Sequence, residues 1–227
     1  MKMNFYKQTL LILKRDLTLE FRQKSLLFSM IIFALMLQVF LNIAFDTDME
    51  AMQKLAAGIL WIPILLSAML GFNRIVAMDK ENSVLTGLLV SPLDKGALYL
   101  GKFLANLVLI LIVICISVPA FFLFVQQPYP DSLGLLIAVL LLGSWGFVAM
   151  GVFLATLAQS SRITELLLPV MLFPLSVPLF LGIVQLTEVA LYPSIEMSQN
   201  VWLILLVSYD ILFTIIPLFL FDYLLEV

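Results

Sequence analysis

The sequence predicts an all-α integral membrane protein, an amphipathic N-terminal interfacial helix followed by six transmembrane helices, and three observations carry that prediction. Hydrophobic residues make up 63% of the 227 and charged residues only 12%, with a mean hydropathy of +1.14, the profile of a chain whose main solvent is lipid. Six apolar runs each reach the ~20 residues needed to cross a hydrocarbon core. Threading those runs through a membrane puts eleven of the twelve Lys and Arg residues on one side, a strong orientation signal. No soluble domain fits between the runs, so residues 1–227 read as a single transmembrane domain.

Residues 3–22 are too polar to span. Tyr6, Leu10, Leu13, Leu17 and Phe21 nevertheless form one helical stripe, with Lys7, Lys14, Arg15 and Arg22 elsewhere on the helix. This is the pattern of a helix lying on an anionic lipid surface. The amino terminus lacks a short apolar core with a small-residue cleavage site, so no removable signal peptide is expected. The spans follow at about 25–45, 55–78, 97–125, 132–157, 163–185 and 201–221. Lys2, Lys7, Lys14, Arg15, Arg22, Lys24, Arg74, Lys80, Lys95, Lys102 and Arg162 then share one side, and Lys54 alone lies on the other with Asp46, Asp48, Glu50, Asp131, Glu188 and Glu196. By the positive-inside rule both termini are cytoplasmic.

Between the second and third spans, residues 79–93 carry charges at both ends of an apolar stretch too short to cross. As a helix this segment presents Val84, Leu85, Leu88 and Leu89 on one face, opposite Lys80, Ser83 and Gly87. Pro92 ends it and Asp94 is placed to cap the next helix. Such a helix either floats at the lipid interface or docks its apolar face on a soluble partner.

In the fourth span Ser144, Gly151 and Ala155 place small residues on one face, where a neighbouring helix can approach closely. Pro169, Pro174 and Pro178 interrupt the fifth span, which is therefore expected to be kinked or broken. That helix is either a passive kink or part of a gate or pathway. Asp210 sits near the middle of the sixth span, and an intramembrane carboxylate is a functional candidate. The competing explanation is a hydrogen bond to another helix, with Asn106 or Ser144 as the partner.

Gly96 to Phe103 fits the G-x4-G-K frame of a phosphate-binding loop, but Phe103 stands where Ser or Thr would hold magnesium and no strand precedes it. The match is rejected, and Lys102 is expected to snorkel to the interface. Histidine is absent from the sequence and Cys115 is the single cysteine, treated as a small apolar side chain without a role. No metal-ligand spacing, haem-attachment motif, nucleophile elbow or basic nucleic-acid patch occurs. The expectation is a non-catalytic membrane protein, binding no metal, no nucleic acid and no cofactor of its own, whose energy comes from a partner. A self-sufficient proton- or ion-coupled transporter using Asp210 and the proline-rich span is the alternative; no inverted repeat relates residues 25–125 to 132–227.

An interfacial helix, six spans and a surface helix between the second and third spans resemble the membrane subunit of an ABC-2-type ABC exporter. Residues Arg15 to Arg22, Ala57 to Pro63, Phe72-Asn-Arg74, Gly87-Leu-Leu-Val-Ser-Pro-Leu93 running on to Gly101-Lys102, Arg162 to Pro169, and Tyr209-Asp210 together resemble the CcmB family of cytochrome c maturation proteins. The similarity runs in order over nearly the whole chain. It implies a permease subunit in the bacterial inner membrane, paired as a homodimer with a CcmA-type ATPase that binds the ATP. The other implied partners are CcmC, CcmD and the haem chaperone CcmE, with haem as cargo and release of haem-loaded chaperone as the outcome. It also implies that the 79–93 helix couples to the ATPase, with Leu85, Leu88 and Leu89 in a groove, Glu81 and Asn82 as a polar rim, and Ser91-Pro92 closing the helix. Asp210, Pro169, Pro174 and Pro178 are the pathway or gating candidates. Within this reading, export of another amphiphile is the alternative cargo. Trp61, Trp145 and Trp202 lie far apart, unlike the tryptophan-rich haem motif of CcmC, so the likeness is to the B-type subunit.

Overall fold

The structure is a computed structural model in which residues 4–45, 49–81, 94–124, 130–158, 164–192 and 199–224 are described. Among them the chain forms seven helices: α1 (Phe5–Gln23), α2 (Ser25–Phe45), α3 (Met49–Glu81), α4 (Lys95–Phe124), α5 (Leu133–Ala158), α6 (Thr164–Leu191) and α7 (Gln199–Leu224). The last six each contain a stretch long and apolar enough to cross a membrane. With no water in the hydrocarbon, helices satisfy every backbone group within one segment. The fold class predicted from composition is the one found.

Lys24 turns the chain from the interfacial helix into the first span. Its φ of 56° and ψ of −14° are left-handed, and its N–H donates to Glu20 O at 2.7 Å. That bond ends α1 and lets α2 start one residue later. At the start of α4, Asp94 Oδ1 accepts from the N–H of Gly96 at 3.0 Å and of Ala97 at 3.4 Å, the cap expected from the sequence.

α5 is the central helix and packs against α3, α4, α6 and α7. Small residues make this possible. A Cβ at Gly151 would collide with the ring of Phe72 on α3, and one at Gly143 would lie 2.7 Å from both Ile183 Cγ2 on α6 and Trp61 Cη2 on α3. Of the predicted small face, Gly151 and Ala155 are closed over by neighbours, and Ser144 donates to Leu141 O on its own helix. Phe72, Phe147, Phe103, Trp61 and Tyr99 form the bulk of the core between the helices.

Polar side chains tie the bundle together. Trp61 Nε1 donates to Thr187 Oγ1 at 2.9 Å, joining α3 to α6, and Trp145 Nε1 donates to Thr214 Oγ1 at 3.0 Å, joining α5 to α7. The Tyr99 hydroxyl lies 3.1 Å from Ala149 O and 3.0 Å from Phe213 O, linking α4 to α5 and α7. Gln38 on α2 donates to Ser117 O at 3.1 Å on α4. In lipid such bonds hold helices that the hydrophobic effect does not press together.

Two boundaries differ from expectation. α6 runs to Leu191 rather than to Gln185, because Thr187, polar in sequence, is buried and bonded to Trp61. α3 continues through Asp79 and Lys80 to Glu81, so the span helix extends into the segment read as a separate surface helix. Cys115 is exposed at the protein surface rather than buried. The outward residues of α2, among them Phe28, Ile32, Met36, Phe40 and Ile43, repeat at helical spacing and are exposed.

Candidate functional site

α1 docks on the bundle through its polar face. Gln8, Thr9, Ile12 and Glu20 are buried, whereas Tyr6, Leu10 and Phe21 of the apolar stripe are exposed and Leu13 and Leu17 half-buried. The stripe therefore points away from the other helices, as a helix lying at a lipid surface requires. The main contact is with α4 at Gly101, where a Cβ would come 2.6 Å from Ile12 Cγ2 and 2.7 Å from Ile12 Cβ. Gly101, which had fitted a phosphate-loop frame, is instead the point where two helices touch. Gln8 Oε1 accepts from the Asp94 N–H at 2.8 Å, fastening α1 to the cap of α4.

The proposed coupling residues bracket this arrangement. Glu81 is the last residue of α3. Asn82, Leu85, Leu88, Leu89, Ser91 and Pro92 lie outside the described residues. The flanking positions are fixed: α3 leads in, and the Asp94 cap, locked to Gln8, leads out.

Behind α1 lies a cleft of about 440 Å³ between α1, α2, α3 and α4. Arg15, Asp16, Glu20, Arg74 and Lys102 supply its charged wall, and Leu26, Ala105 and Leu109 continue it as an apolar wall. Arg74 Nε donates to Glu20 Oε1 at 3.1 Å, and its Nη2 donates to Gln23 Oε1. Arg15 pairs with Asp16 at 2.8 Å. Sequence pattern placed Arg15, Arg74 and Lys102 on the cytoplasmic side and gave Asp16 and Glu20 no role. Their convergence is set by pairs 51 to 54 positions apart in the chain, which no local pattern reveals.

Asp210 lies on α7, 6% exposed. A Cβ at Gly146 of α5 would collide with Asp210 Oδ1 and sit 3.0 Å from Leu179 Cδ1 of α6, so Asp210 occupies the junction of α5, α6 and α7. Neither of its oxygens has a hydrogen-bond partner among the described residues. The expected partners are engaged elsewhere: Asn106 Nδ2 donates to Lys102 O at 2.9 Å and Ser144 Oγ to Leu141 O at 3.0 Å. Both bonds close within one helical turn, and neither side chain bonds to α7. Beside Asp210, the Tyr209 hydroxyl donates to Leu175 O at 3.1 Å and lies 2.7 Å from Met150 Sδ, bridging the same three helices.

α6 keeps Pro169, Pro174 and Pro178 inside one continuous helix, so of the kink or break expected there the break does not occur. Packing on α3, α5 and α7 holds it together where backbone bonds are lost. Pro174 and Pro178 are exposed and Pro169 is half-buried. Pro174 lines an apolar groove of about 720 Å³ with Ile62, Met69, Phe147, Phe173 and Val177, between α3, α5 and α6. Among the described residues no group of three His, Cys, Asp or Glu side chains comes together as a metal site.

Comparison with known proteins agrees with this architecture. The family model described as CcmB protein matches residues 7–227. The chain is similar to heme exporter protein B of Rhodobacter capsulatus, 30% identical over 167 residues, covering 74% of this chain and 76% of that protein. It is also similar to heme exporter protein B of Paracoccus denitrificans, 35% identical over 127 residues (56% and 58% of the two chains), and of Pseudomonas aeruginosa, 25% identical over 171 residues (75% and 76%).

Proposed function

Because the chain belongs to the CcmB family, we propose that it is the membrane subunit of an ABC-type haem exporter serving cytochrome c maturation. The observation that carries the reading is the family match along residues 7–227, joined to six membrane-crossing helices in the expected order. ATP is hydrolysed by a separate CcmA-type subunit, and CcmC, CcmD and the chaperone CcmE complete the assembly. The chain sits in the bacterial inner membrane with both termini cytoplasmic, supported by the one-sided distribution of Lys and Arg. Two ATPases need two membrane subunits, which makes a homodimer the simplest assembly.

Motion enters through residues 79–93. Leu85, Leu88 and Leu89 fill a groove on the ATPase, Glu81 and Asn82 form its polar rim, and Ser91 and Pro92 end the segment. The far end of this segment leads to Asp94, whose N–H is held by Gln8, and to α4, which touches α1 at Gly101. A displacement there is therefore passed to α4 and α1 as one unit. Haem is the cargo; with histidine absent from the chain, its contacts here rest on Tyr, Met and apolar packing. Leu88→Glu places a charge in the docking face and is expected to abolish co-purification of the ATPase and to lower cytochrome c yield, with the membrane fold intact. Wild-type association and yield in that variant would remove the coupling assignment.

A second reading, a proton- or ion-coupled transporter with Pro169, Pro174 and Pro178 in its moving helix, is favoured by one observation, the buried and unpartnered Asp210. It requires Asp210→Asn to abolish function in cells, charges on the 79–93 segment to be harmless, and activity to persist without any ATPase. The ABC reading instead requires function to be lost when the ATPase is removed or no longer docks, as in Leu88→Glu.

A further inference from the structure

We propose that Arg74 and Glu20 form a two-position latch across the cleft behind α1, and that these two residues position the α3 end of the 79–93 segment; the role rests on the coupling reading above. The two flanks of that segment are held differently. On the α4 side, Gln8 Oε1 accepts from the Asp94 N–H at 2.8 Å, and a Cβ at Gly101 would collide with Ile12, so α1 and α4 are in direct contact. On the α3 side, the cleft of about 440 Å³ keeps the helices apart, and among the described residues the backbones of α1 and α3 do not approach closely. The Arg74 side chain spans the gap instead. It lies seven residues before Glu81, the last residue of α3, about 10 Å at the helical rise.

The bonding is incomplete in a way that defines the second position. Arg74 divides its donors, Nε to Glu20 Oε1 at 3.1 Å and Nη2 to Gln23 Oε1. Glu20 is 8% exposed, and its other oxygen, Oε2, is buried without a hydrogen-bond partner among the described residues. A buried acceptor left unpartnered is costly, more so on a charged group. A carboxylate beside a guanidinium has a better arrangement, the parallel two-bond fork. Moving Nη2 from Gln23 Oε1 to Glu20 Oε2 makes that fork, satisfies the orphaned oxygen and draws the end of α3 onto α1. Gln23 is exposed, so water takes over its amide. Arg74 makes two bonds in either position, so a modest pull on the 79–93 segment exchanges them. The α1–α4 seam stays fixed while the end of α3 moves against it.

The test is a pair of spin-label distances in the full chain bound to its CcmA-type ATPase, with and without a non-hydrolysable ATP analogue. Lys14→Cys with Asn73→Cys, in a Cys115→Ser background, reports α1 to α3. Lys14→Cys with the native Cys115 reports α1 to α4, and all three positions are exposed. The analogue is expected to shorten the first distance by about 1–2 Å, the scale of helix shifts in switching proteins, and to leave the second unchanged. Gln23→Leu removes the partner of the split position and is expected to give the short distance without nucleotide. Glu20→Gln cannot form the charged fork. It is expected to keep the long distance with the analogue, and to lower cytochrome c yield while the ATPase stays bound and hydrolyses ATP. A merely structural pair would shift both variants the same way. Gln23→Leu decides the matter if Glu20→Gln does not elute as a folded protein. With the ATPase bound, the latch is overturned by an unchanged α1–α3 distance in the wild type, by an equal shift of the α1–α4 distance, or by shifts of the same sign in the two variants. An ATPase that does not bind the wild-type chain removes the coupling reading, and the role of the latch with it.

Discussion

Replacing Gly101 with leucine tests how α1 is held. The added Cβ alone would meet Ile12 Cγ2 at 2.6 Å and Ile12 Cβ at 2.7 Å, with Thr9 O at 3.2 Å. Apolar carbons settle at roughly 3.5–4.0 Å, so α1 must retreat by about 1 Å before the rest of the leucine is accommodated. Ile12 is β-branched and stiff, and the Thr9 contact is backbone, so neither neighbour can simply rotate away. Overpacking of this kind costs about 1–3 kcal/mol, and the gain from replacing a helical glycine offsets about 1 kcal/mol. Lifting α1 also weakens the Gln8–Asp94 bond at 2.8 Å and the Arg74–Glu20 pair at 3.1 Å, so the net loss is expected near 2 kcal/mol, borne by the α1–α4 seam. Hydrogen exchange followed by mass spectrometry should show α1 amides losing about 30-fold in protection, while α5 amides keep theirs. Ile12→Ala in the same chain should restore only part of the protection, because it removes Cγ2 and leaves Cβ. Wild-type protection of α1 in Gly101→Leu would refute the close packing of these helices.

Gly151→Leu is expected to destabilise the protein by about 3 kcal/mol, since the Phe72 ring it meets is itself packed 5.6 Å from the Phe147 ring; thermal unfolding in detergent measures this, and an unchanged Tm would count against the α3–α5 packing. Trp61→Phe removes the donor to the buried Thr187 and should cost about 1 kcal/mol by the same assay, the scale of interhelical bonds in membranes. A Tm at or above the wild-type value would mean that this bond does not hold α3 to α6.

The spans were legible because bilayer thickness imposes run length, a property any sequence displays directly. The outward stripe of α1 was legible for a similar reason: Tyr6, Leu10 and Phe21 recur at helical spacing whatever lies behind them. What lies behind them was hidden, because Gln8 and Glu20 find their partners 86 and 54 residues away. Gly151 and Ala155 were read as a packing face, but Gly143 and Gly146, which receive Trp61 and Asp210, were missed. A small residue signals that something approaches without saying what. The burial of Asp210 followed from its place in an apolar run, whereas its suggested partners did not. Asn106 and Ser144 have carbonyls of their own helix within reach, and a local bond forms without bringing two helices into register. The proline triplet left a kink and a break equally open because local rules treat each lost donor singly. Packing from three neighbouring helices overrides them.

If this chain is the membrane subunit of a complex powered by another protein, it must carry that protein with it. Affinity purification of the chain from mild detergent, with identification of what stays bound and an ATPase assay on the eluate, tests it most directly. A nucleotide-hydrolysing subunit is expected to stay bound together with CcmC-like and CcmE-like proteins, with ATPase activity that disappears from the eluate of Leu88→Glu. A chain that purifies alone and without ATPase activity, from cells containing an intact CcmA-type protein, would contradict it.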